Sequence, residues 1–155
     1  MKARTGLLTF AATGLLGAGP AFAEACEGSA TDVRLHVQVN GVRAAQGQVA
    51  VTVYPDEAAR FLAPKGKLAR VRVSAQAPTT RVCFNLPKAG HYAVAIYHDA
   101  NGDQDFNRNG LGMPTEGFGF SNDAPTRVGL PPFRSVRFPV VGGDNRITIR
   151  MRYLN

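Results

Sequence analysis

Residues Val33 to Asn40 read VRLHVQVN, with an apolar side chain at every second position. Val33, Leu35, Val37 and Val39 alternate with Arg34, His36 and Gln38, so an extended chain places the aliphatic groups on one face and the polar groups on the other. This is a half-buried strand, and Asn40-Gly41 ends it with a turn. The pattern recurs on both sides. Val49, Val51 and Val53 lie between Gly47 and Pro55, and Val82, Phe84 and Leu86 stop at Pro87. Tyr92, Val94 and Ile96 repeat it, as do Val136, Phe138 and Val140. After the turn Gly142-Gly143-Asp144-Asn145 come Ile147, Ile149, Met151 and Tyr153. Leu68, Val71 and Val73 suggest a weaker strand. Asp56 to Leu62 reads as one or two helical turns with Asp56 as cap. No long helical periodicity occurs. About seven strands, each with one apolar face to cover, predict an all-β chain folded as a two-sheet antiparallel β-sandwich, immunoglobulin-like or transthyretin-like, with an open barrel as the other arrangement.

The N-terminus has a different character. Lys2 and Arg4 precede LLTFAATGLLGAG, and the run closes on Ala21-Phe22-Ala23. A basic start, an apolar middle and a small-x-small end predict a signal peptide over residues 1–23. The apolar run falls short of the roughly twenty residues that span a bilayer, and no later segment approaches that length. The expectation is therefore an exported protein, periplasmic or extracellular, with one domain over residues 24–155 and no transmembrane segment in the mature chain. Glu24-Ala25 before Cys26 does not fit a lipid-attachment site. In an exported chain the two cysteines, Cys26 and Cys83, are expected to form one disulfide. The chain-entropy model gives such a link roughly 4 kcal/mol before strain is subtracted. Two cysteines are too few for a tetrahedral zinc site.

After the strand HYAVAIY, periodicity vanishes into HDANGDQDFNRNGLGMPTEGFGFSND, residues 98–123. Loops this long inside a small domain need a reason. Of the chain's 11 acids, Asp99, Asp103, Asp105, Glu116 and Asp123 fall here, beside one base, Arg108. The rest of the chain is strongly basic. Clustering like charge costs free energy unless water, salt or a cation offsets it. Asp99, Asn101, Asp103 and Asp105 stand at every second position, as at the start of a calcium loop, and Glu116 supplies a later carboxylate. Calcium, with these five residues as ligands, is one reading of the acidic loop 99–123. Gln104 stands where an EF-hand needs glycine and Gly110 where it needs glutamate, so the loop is not an EF-hand. The other reading is a series of Asx turns, with Gly102, Gly110, Gly112, Gly117 and Gly119 at positive φ.

The order Gly90, Tyr92, Ala93, His98, Asp99, Asn101, Asp105, followed by Gly112, Pro114, Glu116, Gly119, Phe120, Ser121 and Asn122, resembles a family signature. The family is the domain of unknown function 2141, an uncharacterised group of exported bacterial proteins. About thirty-five residues carry the resemblance, and Gln104 before Asp105 is a mild departure from it. The resemblance implies a small extracytoplasmic β-sandwich and brings no activity with it.

His36, His91 and His98 are the only histidines. His91 and His98 lie seven apart on one strand, so they face opposite ways and do not share an ion. His98 has the parity of Val94 and Ile96, which aims it at the edge of the core. There it serves as an anchor, bonding a loop carbonyl or Asp99 or Glu116, together with Ser121 and Asn122 at the far end of the loop. A hydrolase using His98 with Asp99 or Glu116 is the catalytic alternative. Ser121 in GFSND lacks the second glycine of a nucleophile elbow.

Basic side chains give another class of function. Arg146, Arg150 and Arg152 alternate on the last strand, and Arg70, Arg72, Arg134 and Arg137 lie in other strand segments. This face suits a polyanion or an anionic component of the cell envelope, or else it is a solvated face that discourages edge pairing. Nucleic acid is not expected, since no aromatic residues interleave the arginines. Phe106, Phe118 and Phe120 are expected to fold as a lid on the end of the sandwich. The reading favoured by the sequence is an exported, non-catalytic binding or structural accessory protein.

Overall fold

The computed structural model describes residues 25–126 and 129–154. The expected signal peptide, 1–23, lies outside the described residues. Among the described residues eight strands form two sheets: β1 (Val33–Asn40), β2 (Gln48–Pro55), β3 (Ala69–Ser74), β4 (Thr79–Asn85), β5 (Gly90–Asp99), β6 (Phe118–Phe120), β7 (Phe138–Val140) and β8 (Gly143–Arg150). The smaller sheet has the order β4-β1-β8. In the larger one the order is β3-β2-β5-β6, with β7 also pairing β5. The two sheets stack as a sandwich and do not close into a barrel.

Alternation builds the interface between the sheets. Leu35, Val37 and Val39 of β1 meet Val49, Val51 and Val53 of β2, Phe84 and Leu86 around β4, and Val94 and Ile96 of β5 in one core. Burying each such side chain contributes about 1.5–3 kcal/mol, which is why register is fixed: a slip of one residue would turn every aliphatic group outward. The disulfide Cys26–Cys83 ties the chain entering β1 to β4.

Several local expectations change in the structure. The strands number eight because the glycine-rich part of the long loop contains β6, a three-residue strand too short to show a period. β8 runs parallel to β1, while the other strand pairs are antiparallel. Gly143, Asp144 and Asn145 therefore belong to a strand that changes sheet and do not form a hairpin turn. Asp56 does not cap a helix. Its carboxylate forms an ion pair with Arg137, and the helical segment is a single 3-10 turn, Ala58–Arg60, beginning after Glu57. A four-residue helix, α1 (Phe133–Val136), precedes β7 where a longer strand is expected from the pattern.

The two central strands of the larger sheet are buried on both faces. The face of β2 and β5 turned away from the core carries Ala50, Tyr54, Ala93 and Tyr97, and these pack in a second apolar cluster with Phe118, Phe120, Ala124 and Val136. Phe106, Phe118 and Phe120 thus lie over the outer face of this sheet, not over the end of the sandwich. Edge-to-face ring contacts join Phe106 to Phe118, Phe118 to Phe120 and Phe120 to Phe61.

Candidate functional site

The acidic loop begins where β5 runs out. Asp99 is its last residue and is fully buried. Its Oδ1 accepts the amide of Gly102 at 2.7 Å and its Oδ2 the amide of Gln104 at 2.9 Å. One carboxylate thus closes two turns of backbone. Asn101 continues the series, its Oδ1 accepting the amide of Asp103 at 3.2 Å. Asp103 Oδ1 accepts the amide of Asp105 at 2.9 Å, and its Oδ2 accepts Nδ2 of Asn101 at 2.8 Å and of Asn107 at 2.9 Å. These donors, Asn107 first, hold the Asp103 carboxyl below the usual carboxylate range. Gln104 takes the left-handed conformation, φ 67°. Of the five glycines expected there, only Gly102 and Gly112 do so; Gly117 and Gly119 instead admit close approach of Tyr153 and Arg150.

Glu116 returns from the far side of the loop to meet this network. It is 8% exposed. Its Oε2 accepts the amide of Asn107 at 3.1 Å, whereas Oε1 is buried without a hydrogen-bond partner. Burial pushes its carboxyl above the ordinary value. The nearby negative charges of Asp99 and Asp103 add to that rise, against the amides of Asn107 and Ala100. Oε1 itself meets no donor in hydrogen-bonding geometry, the Ala100 amide included.

Of the five residues proposed as calcium ligands, Asn101 and Asp103 share one hydrogen-bonded network and Glu116 reaches it through the amide of Asn107, whereas the Asp99 carboxylate holds the amides of Gly102 and Gln104. Asp105 joins the group through its backbone amide only, and its side chain is exposed. Asn107 joins through its side chain, a role that sequence reading missed although it extends the same every-second-residue series. Among the described residues no three His, Cys, Asp or Glu side chains form a metal cluster.

His98 points away from this group, into the edge of the core. Its Nε2 lies 2.8 Å from the carbonyl of Gln46 and its Nδ1 2.7 Å from the hydroxyl of Tyr153. A carbonyl only accepts, so Nε2 carries a proton and donates to Gln46, while Nδ1 is bonded to the Tyr153 hydroxyl. Tyr153 in turn accepts the amide of Arg43. The pairing of His98 with Asp99 or Glu116 does not form. Adjacent strand residues face opposite ways, and both ring nitrogens are already engaged, which removes the basis of the hydrolase alternative. Through its backbone, His98 still holds the loop, donating to the carbonyl of Gly117 at 2.8 Å.

The far end of the loop is fixed by Ser121 and Asn122. One edge of β5 pairs with β6 at Ala95–Tyr97 and with β7 at Gly90–Tyr92, which leaves a gap at Val94. Ser121 Oγ fills it, accepting the amide of Val94 at 2.9 Å and bonding the carbonyl of Val136. Asn122 Nδ2 donates to the carbonyls of Ser135 and Arg137, each at 3.0 Å.

The arginine stripe divides. Arg146 and Arg150 are exposed on β8, but Arg152 lies beyond it, where the chain pairs with Phe118 of the larger sheet. Its guanidinium donates to the carbonyls of Ala124 and Asp123. On the same outer face Asp144 binds Arg34 at 2.7 Å and His36 at 2.9 Å, and these bonds, that of Arg34 first, hold its carboxyl low.

Fold and site together define a small disulfide-linked β-sandwich that carries a self-bonded acidic loop on its larger sheet. The chain belongs to the family described as an uncharacterized protein conserved in bacteria, DUF2141, whose model matches residues 37–148. The match spans both sheets and the whole acidic loop. No curated protein and no solved structure matches the chain. Among the described residues no helix is long and apolar enough to cross a membrane.

Proposed function

We propose that this is an exported, non-catalytic accessory protein whose acidic loop is organised by a calcium ion. The observation that carries the reading is Oε1 of Glu116, a carboxylate oxygen buried without a partner, in a carboxyl that burial first and the charges of Asp99 and Asp103 second make costly to ionise. A buried, unpaired charge is costly, and a hard divalent cation is the group that best offsets it. The carboxylates of Glu116, Asp99 and Asp103 do not form a ready-made cluster, so the ion would draw them together, with amide oxygens of Asn101 and Asn107 completing its shell. The hydrogen bonds that Asp99 and Asp103 already accept leave lone pairs on the same oxygens for a metal. Asp105, exposed at the rim, is the residue able to turn in as a further ligand.

Isothermal titration of calcium into chelator-treated protein tests this. The expected result is saturable one-site heat and a raised melting temperature. Glu116→Gln is expected to weaken binding by about tenfold or more, a loss of about 1.4 kcal/mol, and Asp105→Ala by less. Absence of heat together with an unchanged melting temperature removes the metal from the reading.

A further inference from the structure

We propose that the outer face of the larger sheet binds a small amphipathic carboxylate, with its apolar tail on the sheet and its head group at Arg70. This site is separate from the calcium group. A cavity of about 510 Å³ opens there, within the range of small-molecule sites. Its origin lies in the sequence. Thr52 of β2 and Ala95 of β5 are directly paired, and these two small side chains form a low floor between the larger Tyr54, Tyr97 and Phe120. The acidic loop supplies the opposite wall with Phe106 and Met113.

Two further observations specify the ligand. The first is the rim: Met113, Leu130 and Leu154 are 49%, 60% and 52% exposed and all border this one cavity. Clustered exposed apolar groups mark a surface that something covers. The second is charge. Arg70 and Arg108 line the cavity, and among the described residues no Asp or Glu does. Neither arginine forms an ion pair among those residues. Arg70 Nε donates to Thr52 Oγ1 at 2.7 Å, which holds its guanidinium over the floor. A second cleft of about 310 Å³ adjoins the first, shares Tyr54, Leu62 and Arg70, and adds Lys65 and Lys67. Arg70 therefore stands where the apolar cavity meets a basic one. A single carboxylate fits that junction, because a guanidinium presents paired donors to its two oxygens. An apolar body fits the rest.

The test is titration of dodecanoate into the folded protein in calcium and again in chelator, with dodecyltrimethylammonium and acetate as comparators. Dodecanoate is expected to bind in at least one buffer and to exceed both comparators by about tenfold or more, since each lacks one half of the ligand. Arg70→Gln, a surface change checked by its melting temperature, is expected to weaken dodecanoate by about tenfold and to leave dodecyltrimethylammonium unaffected. Met113→Ser, on the opposite wall, is expected to weaken dodecanoate without altering the fold. The proposal is overturned if dodecanoate binds in neither buffer, if the cationic amphiphile binds as tightly, or if Arg70→Gln changes nothing.

Discussion

The imidazole of His98 and the hydroxyl of Tyr153 lie 2.7 Å apart, joining the end of β5 to the C-terminal chain at the root of the acidic loop. The same hydroxyl accepts the Arg43 amide, so three separate segments meet at one oxygen. Tyr153→Phe keeps the ring and removes that oxygen. It is expected to destabilise the protein by about 1–2 kcal/mol, read from urea unfolding, with greater protease sensitivity near Gln46. An unchanged unfolding midpoint would show that the contact is incidental.

Ser121 is expected to matter more than its size suggests. Its hydroxyl substitutes for a neighbouring strand at the gap between β6 and β7 and is fully buried. Ser121→Ala strands the Val94 amide and is expected to cost about 1–3 kcal/mol. Ser121→Cys keeps the volume but bonds weakly and should lie close to the alanine variant. Amide exchange at Val94 provides the local readout: protection equal to wild type in both variants contradicts this account.

Glu116 predicts a pH dependence of definite sign. Its carboxyl is raised in the folded protein, so the folded state holds the proton more tightly than the unfolded chain. In chelator this group favours folding at pH below its unfolded value, and that contribution is lost as pH rises through the folded one. Glu116→Gln should therefore flatten the melting temperature against pH on this limb and leave the metal-free protein at least as stable as wild type at neutral pH. Adding calcium should reverse the ranking. A steeper pH dependence in the variant is the contrary outcome.

Gly47 sits in the turn leading into β2 at φ +67°, and a Cβ there would run into the carbonyl of Asp99 and the backbone of Ala100. Gly47→Ala is expected to cost more than the roughly 1 kcal/mol of a strained backbone alone, because it also pushes on the mouth of the loop. The expected signature is a lower melting temperature together with weaker calcium binding. Wild-type stability would mean that the turn yields without effect on Asp99.

Seven of the strands were legible because each has its own apolar period, and a period of two needs no partner to be visible; which sheet each joins was not. The sandwich core follows from Val33, Leu35, Val37 and Val39 and their counterparts. The charge of the loop and the series Asp99, Asn101, Asp103, Asp105 were equally plain, since both are local. β6 was not legible: Phe118–Phe120 forms a strand only because the edge of β5 is there to receive it. The parallel course of β8 beside β1 was hidden for the same reason.

Alternation in the chain alone determined which side chains turn inward and hence that the strands must cover one another's apolar faces, in a sandwich or an open barrel. Tertiary structure alone decided what those positions meet. Parity separates His98 from Asp99 in any strand, but only folding brings Tyr153 and Gln46 to the imidazole and leaves Glu116 with a buried oxygen that no donor reaches. The physical reason is range: side-chain direction is set within two residues, whereas hydrogen-bond partners and charges act through space between segments distant along the chain.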